Sequence, residues 1–167
     1  MQGIEPSDIH RLNAAIGWFG LGNRAEALAE LDSISAASRN HPAVLDVRWS
    51  LLAAEGNWRD ALEVARGLTA SAPEMAEGWL HEAYALRRVK GGGVRKAWGV
   101  LFRAAQKFQN EPIIMFNLAC YSCQLKNLDE ARAWLKGAMK LGGKAEMKFM
   151  ALADEDLKAL WNEIGGM

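Results

Sequence analysis

The sequence predicts an all-α fold, an α-solenoid of four antiparallel helix pairs followed by two C-terminal helices. A small residue recurs at a fixed place with spacings of 34, 36 and 34 residues: Ala27, Ala61, Ala97 and Ala131. A turn-like pair of residues begins five positions before each of these alanines: Gly22-Asn23, Gly56-Asn57, Gly92-Gly93 and Lys126-Asn127. A period near 34 residues, with apolar residues at helical spacing, is typical of stacked helical hairpins.

Each helix is predicted from its apolar spacing and from the residues that end it. Ser7 or Asp8 can cap a first helix that continues to about Leu21, where the first turn-like pair stops it. Similar stops separate the later helices: Gly56-Asn57, Pro73, Gly91-Gly92-Gly93, Pro112 and Asn127. These stops predict helices at about 24–37, 43–55, 58–71, 75–89, 94–108, 113–126 and 128–141.

Two short helices are predicted after the fourth pair, at about 145–151 and 155–164, with Asp154 as the cap of the second. We expect this tail to cover the exposed face of the last repeat, because the end of a solenoid needs a polar cover. The chain is therefore interpreted as one domain, 1–167. Its repeats are placed at about 8–41, 42–75, 76–111 and 112–143, and its capping tail at 144–167.

The net charge of the 167-residue chain is zero, which argues against nucleic acid or a membrane as a partner. The charge is nevertheless uneven, because residues 1–82 carry a net −6 and residues 83–167 a net +6. Residues 83–110 contain seven basic residues and no acidic one. Two interpretations stay open: a solvated helix face, or a surface that docks acidic partners or other copies of the chain in a homo-oligomer.

Few residues suggest chemistry. The two cysteines form a CxxC in the middle of a predicted helix, and they are interpreted as small buried or groove-lining residues, with a metal shared across a dimer as the alternative. No nucleotide-binding or hydrolase motif is present, so no catalytic residue, cofactor or metal is predicted. No signal peptide or apolar run of membrane-spanning length is visible, which predicts a cytoplasmic protein.

The repeats resemble those of tetratricopeptide-repeat proteins over roughly residues 8–143. Repeat four carries the pattern as Met115, Leu118-Ala119, Ala131, Leu135 and Ala138, and repeat three as Trp79, Ala83, Ala97, Leu101 and Ala104. Repeat two departs from it, because Trp49 stands where a small residue is expected. The resemblance implies a right-handed superhelix whose first helices line a concave groove that holds a peptide or a helix of a partner.

The resemblance assigns the groove-lining positions to the first helix of each repeat. They are Ile9, Leu12, Asn13, Ile16, Asp46, Ser50, Glu77, Leu80, His81, Tyr84, Arg87, Arg88, Ile113, Phe116, Asn117 and Cys120. We expect Arg87 and Arg88 to pair with carboxylates of a partly acidic, apolar segment. The alternative is that these side chains are buried by the N-terminal segment, the C-terminal helices or a second subunit.

The predicted function is a non-catalytic adaptor or scaffold that binds a protein segment. One alternative is a chaperone that shields an apolar segment of a secreted client, and another is a self-assembling structural protein. An enzyme would need a cluster of titratable groups in the groove. Only Glu77, His81 and Tyr84 approach one, and Glu77 could pair with His81 four residues later on the same helix.

Overall fold

The computed structural model describes residues 3–166, and this range is helical throughout except for turns and short connections, with no strand. The chain forms two compact units, Met1–Val89 and Lys90–Met167. The boundary falls inside the predicted third repeat, between its two helices. The all-α fold class is confirmed, whereas the interpretation as one domain stays a prediction.

The first unit contains two complete hairpins and the first helix of the third pair. Its helices are α1 Pro6–Gly20, α2 Arg24–Asp32, α3 Pro42–Ala54, α4 Trp58–Ser71 and α5 Ala76–Arg88. Consecutive helices pack against each other, and α3 also contacts both α1 and α5. The first helices of the three pairs therefore lie side by side as one layer of this unit.

The second unit contains the remaining helix of the third pair, the fourth hairpin and the tail. Its elements are α6 Val94–Lys107, α7 Pro112–Gln124, α8 Leu128–Gly142, α9 Lys144–Ala153, a 3-10 helix Glu155–Leu160 and α10 Trp161–Gly166. Helix α7 packs against α6, α8 and the 3-10 helix.

The recurring alanines lie at the contacts between helices. Ala27, Ala61, Ala97 and Ala131 are all fully buried. A methyl side chain permits close approach of two helix backbones, so the position excludes larger residues. The alanines therefore recur every 34 to 36 residues because each hairpin needs a small side chain at the same helix contact.

The turns before these alanines need a left-handed backbone. Gly22 and Gly56 have φ of 79° and 73°, a conformation in which a side chain on Cβ is disfavoured. Lys126 takes the equivalent place in the fourth hairpin with φ 68°. The asparagine that follows each glycine caps the next helix, Asn23 accepting from the Glu26 amide and Asn57 from the Asp60 amide.

Two predictions for the first hairpin are wrong. Helix α1 begins at Pro6 without a side-chain cap, and Asp8 instead accepts hydrogen bonds from the amide and hydroxyl of Ser35. Helix α2 ends at Asp32 rather than near residue 37. The buried carboxylate of Asp8 and the Ser38 hydroxyl, which accepts from the Glu5 amide, hold the chain after α2 in a non-helical path.

The tail departs from prediction in its second helix. Asp154 caps it as expected, since its carboxylate accepts from the Asp156 amide at 2.9 Å. The first six residues after this cap form the 3-10 helix, and α-helix begins only at Trp161. The Trp161 indole N–H donates to the carbonyl of Ala151 at 3.0 Å, which ties this bend to α9.

We expect the Asp8 carboxylate to stabilise the first unit in a pH-dependent way. The Ser35 and Ser38 hydroxyls lower the pKa of Asp8 below its ordinary value, so the ionised form contributes stability that is complete above about pH 4. Asp8→Asn should lower the free energy of unfolding at neutral pH, and its difference from wild type should shrink as pH falls below about 4. Urea unfolding at several pH values measures this, and a difference independent of pH would contradict it.

Glycines in the second unit provide a matched pair for testing close packing. A Cβ on Gly142 would lie 2.9 Å from the Pro112 Cβ, whereas a Cβ on Gly99 would meet nothing within 4 Å. Gly142→Ala should cost about 1–3 kcal/mol through overpacking. Gly99→Ala, in the middle of α6, should gain about 0.5–1 kcal/mol from helix propensity. Chemical denaturation of both variants checks the contrast, which equal effects would refute.

Candidate functional site

The candidate residues of the first unit divide by exposure. Ile9, Ile16 and Tyr84 are 43%, 49% and 39% exposed. Asn13 and Glu77 are also exposed, and the half-buried members are Asp46, Ser50, Leu80, His81, Arg87 and Arg88. Leu12 is only 7% exposed and packs in the core of the first hairpins, so its expected place in an open groove is corrected.

An aromatic cluster joins α3 to α5 and the start of α4. The α3–α5 cluster, as we name it, consists of Trp49, Trp58, His81, Tyr84 and Arg88. The Trp49 and His81 rings stack with centroids 3.7 Å apart and planes inclined by 4°. The Tyr84 ring packs edge-on against Trp49, with ring centroids 5.9 Å apart, and its centroid lies 5.8 Å from that of the Trp58 ring. These contacts place a continuous set of ring faces across three helices.

Arg88 covers the outer end of the α3–α5 cluster. Its guanidinium carbon lies 3.5 Å from the centroid of the Tyr84 ring and 5.2 Å from that of Trp58. One guanidinium nitrogen donates to the Tyr84 carbonyl at 3.1 Å. A guanidinium stacked on a ring keeps its remaining N–H groups at its edge, where they can bind a carboxylate.

His81 is fixed by a residue on the neighbouring helix. Its Nε2 lies 2.7 Å from Oδ1 of Asp46 on α3, and its side chain is 18% exposed. The expected pairing of His81 with Glu77 on its own helix is therefore wrong. Asp46 is the closer acceptor because α3 and α5 pack side by side. The Asp46 carboxylate and the stacked Trp49 ring together fix the orientation of the His81 imidazole.

Trp49 carries an unmatched polar group. Its indole nitrogen is buried and has no hydrogen-bond partner within the described residues. A buried donor without an acceptor costs about 1–3 kcal/mol. The sequence marked Trp49 only as a departure from the repeat pattern. That departure was the signal that could have pointed to the cluster. The sequence analysis did not predict that Trp49 and Trp58 belong to the site.

The tail covers part of α7 in the second unit. Phe116 is 5% exposed and lines a shallow cavity with Phe149, Met150, Asp154 and others. The Cys120 thiol lies 3.5 Å from Oδ2 of Asp154, and Gln124 donates to the Asp156 carbonyl. Phe116 and Cys120 are therefore corrected as open groove residues, because the chain's own C-terminal segment packs on them. The alternative of burial by the C-terminal helices holds for these two residues.

The other two candidates on α7 are Ile113 and Asn117. Ile113 and Asn117 are half-buried, and the Asn117 amide donates to the Ile113 carbonyl at 2.9 Å. Asn117 therefore uses one of its donors within α7.

The cysteine pair has the features of packing residues. Cys120 and Cys123 are free and buried, and burial raises the pKa of the Cys123 thiol. Among the described residues no group of three or more histidine, cysteine, aspartate or glutamate side chains is placed to hold a metal ion. Within the same range no helix is both long and apolar enough to cross a membrane.

A double-mutant cycle tests the pairing of His81. We expect Asp46→Ala and His81→Ala to couple by about 0.5–1.5 kcal/mol in the free energy of unfolding, as for a partly exposed hydrogen-bonded pair. The matched cycle of Glu77→Ala with His81→Ala should couple by less than about 0.3 kcal/mol. Stronger coupling to Glu77 than to Asp46 would reject the observed geometry.

Thiol labelling tests whether the tail shields α7. Leu157 in the 3-10 helix is fully buried, whereas Leu152 on α9 is 40% exposed. Leu157→Ala should weaken tail docking by about 2–5 kcal/mol and raise the labelling rate of Cys120 and Cys123 at least about thirtyfold. Leu152→Ala is the control and should change the rate little. Fast labelling of the wild-type chain would show that the tail does not cover α7.

Comparisons with known proteins show which fold this is. No family model and no curated protein sequence matches the chain. TTC0263, a thermophilic TPR protein from Thermus thermophilus, aligns with a TM-score of 0.72 at 20% identity, covering 95% of this chain and 83% of that one. MamA 41-end from Desulfovibrio magneticus RS-1 aligns with a TM-score of 0.71 at 16% identity, covering 98% of this chain and 96% of that one.

A third similar structure, the ArsTM double mutant of MamA RS-1, gives a TM-score of 0.69 at 17% identity over 81% of this chain and 75% of that one. At these identities the likeness concerns the fold. The repeat pattern and the structural neighbours together show that this chain has the fold of tetratricopeptide-repeat proteins.

Proposed function

We propose that the chain is a non-catalytic interaction module that binds a segment of a partner protein on the first unit. The binding surface is the layer formed by α1, α3 and α5, and it includes the α3–α5 cluster. The observation that carries this proposal is the cluster itself, an aromatic and arginine surface whose outer ring, Tyr84, is 39% exposed.

The composition of this surface favours a protein segment as its ligand. Tyrosine, tryptophan and arginine dominate the binding energy of protein interfaces, because they combine large apolar area with polar edges. Ile9 and Ile16 add exposed apolar side chains seven residues apart on α1. A partner segment with apolar residues and a carboxylate would match these side chains and the guanidinium of Arg88.

The same contacts make the surface rigid before binding. The bond from His81 to Asp46 and the stack of His81 on Trp49 restrict rotamers on two helices. A preorganised surface loses less side-chain entropy when a partner docks. Arg87 lies on the same helix and is half-buried.

The alternatives lead to different outcomes. A secretion-type chaperone would keep an otherwise insoluble client in solution. A self-assembling protein would show mass that rises with concentration and falls with salt. A cytoplasmic location stays a prediction of the sequence.

The proposal is tested by peptide selection on the purified chain. A displayed peptide library is selected on wild type alone, and the affinity of each selected peptide for wild type and for the variants is measured by fluorescence anisotropy. We expect peptides that combine apolar and acidic residues, with affinity reduced at least about tenfold by Tyr84→Ala and largely kept by Tyr84→Phe.

The control is Phe149→Ser, which removes an exposed ring on α9 in the second unit. It should leave the affinity of the selected peptides unchanged. Peptides that bind the Tyr84→Ala variant as tightly as wild type, or that are lost on Phe149→Ser, would reject the first unit as the binding surface.

A further inference from the structure

A row of basic side chains runs along α8 into α9 in the second unit. Arg132, Lys136, Lys140 and Lys144 follow one another at four-residue intervals. Together with Met139 they line an open cavity of about 570 Å³. Residues four apart lie on one face of a helix, so the three basic residues of α8 form one stripe. Lys144, the first residue of α9, extends it.

Arg132 differs from the three lysines because it is already bound. Its guanidinium donates to both carboxylate oxygens of Glu163 at 2.7 and 2.8 Å, and to Asp129 at 2.7 Å. These carboxylates raise the pKa of Arg132 above its ordinary value. The Glu163 bond joins α8 to α10 at one end of the cavity. Arg132 therefore has a structural partner and is not counted as a ligand-binding group.

The lysine stripe, as we name Lys136, Lys140 and Lys144, carries charge without such partners. All three side chains are exposed, and within residues 3–166 no ion pair joins them to a carboxylate. Like charges four residues apart on a helix repel each other. Carboxylates of a bound ligand would relieve this repulsion, so the stripe favours an acidic partner.

The spacing of the stripe matches an acidic helix. Lys136 and Lys140 are four residues apart on α8, a rise of about 6 Å, so carboxylates four residues apart on a partner helix would lie opposite these two ammonium groups. Lys144 follows the end of α8 and Gly143, and it lines the same cavity. Met139, 9% exposed, supplies an apolar wall of the cavity, and Leu141 beside the stripe is 41% exposed. The lysine stems add apolar surface below their charged ends. An amphipathic helix supplies both the carboxylates and the apolar contact.

We propose that the lysine stripe is a second docking site, which takes an acidic amphipathic helix of another protein. Single-stranded nucleic acid would need ring faces for base stacking, and among the described residues those that line this cavity include no aromatic side chain.

The test uses designed peptides of about 18 residues with blocked ends. One carries glutamate at every fourth position with leucines on the adjoining face, and a second has the same composition with the helical phase broken. Binding to the full chain is measured by fluorescence anisotropy. The variant K136Q/K140Q/K144Q is compared with K90Q/R95Q/R103Q. This control also removes three positive charges from the second unit, but at residues outside the lysine stripe. Circular dichroism verifies that both variants fold.

We expect the peptide with glutamate at every fourth position, the in-phase peptide, to bind wild type more tightly than the broken-phase peptide. Its affinity should fall as the salt concentration is raised. The stripe variant should lose about tenfold in affinity, as three partly exposed ion pairs allow, and the control variant less than about twofold. Equal losses in the two variants, or equal binding of the two peptides, would overturn the proposal, and so would no binding at low salt.

Three further results would overturn it in favour of another ligand. Tighter binding of an oligothymidylate than of the in-phase peptide would assign the stripe to nucleic acid. Tighter binding to phosphatidylserine vesicles would assign it to a membrane surface. A concentration-dependent mass that the stripe variant abolishes would assign it to a second copy of the chain.

Discussion

Close packing between helices at four fully buried alanines is the constraint on which the rest of the structure depends. Because Ala27, Ala61, Ala97 and Ala131 present only a methyl group, the neighbouring helices can approach closely. Within the first unit this packing sets the hairpins so that α1, α3 and α5 lie side by side. The α3–α5 cluster exists because two helices of that layer bring Trp49 and His81 to 3.7 Å.

The two units use their first helices differently. In the first unit, Tyr84 and Arg88 remain accessible on α5, supported from below by a stacked histidine and tryptophan. In the second unit, the 3-10 helix packs on α7 and buries Cys120 and Cys123. A surface occupied by its own chain cannot also bind a partner without release of the tail. This difference is why we place the proposed binding surface on the first unit.

Local signals predicted the helices well, because apolar spacing and turn residues act within a few positions; α4 spans Trp58–Ser71 as expected. Hydrogen bonds between residues far apart in the chain could not be predicted from the sequence. Asp8 reaches Ser35, 27 residues away, and thereby shortens α2. His81 reaches Asp46, 35 residues away, in preference to Glu77 on its own helix. The exposure of the site residues could not be predicted from the sequence either, because burial of Leu12 and Phe116 depends on which elements pack over them.

The central claim is that a partner segment binds the first unit while the tail stays on α7. Backbone amide chemical-shift mapping during titration with a selected peptide tests it most directly. The account predicts that the shifts concentrate between residues 46 and 50 of α3 and between residues 81 and 88 of α5, with α7 and the 3-10 helix unchanged. Shifts concentrated on α7, together with loss of the tail's native signals, would contradict it.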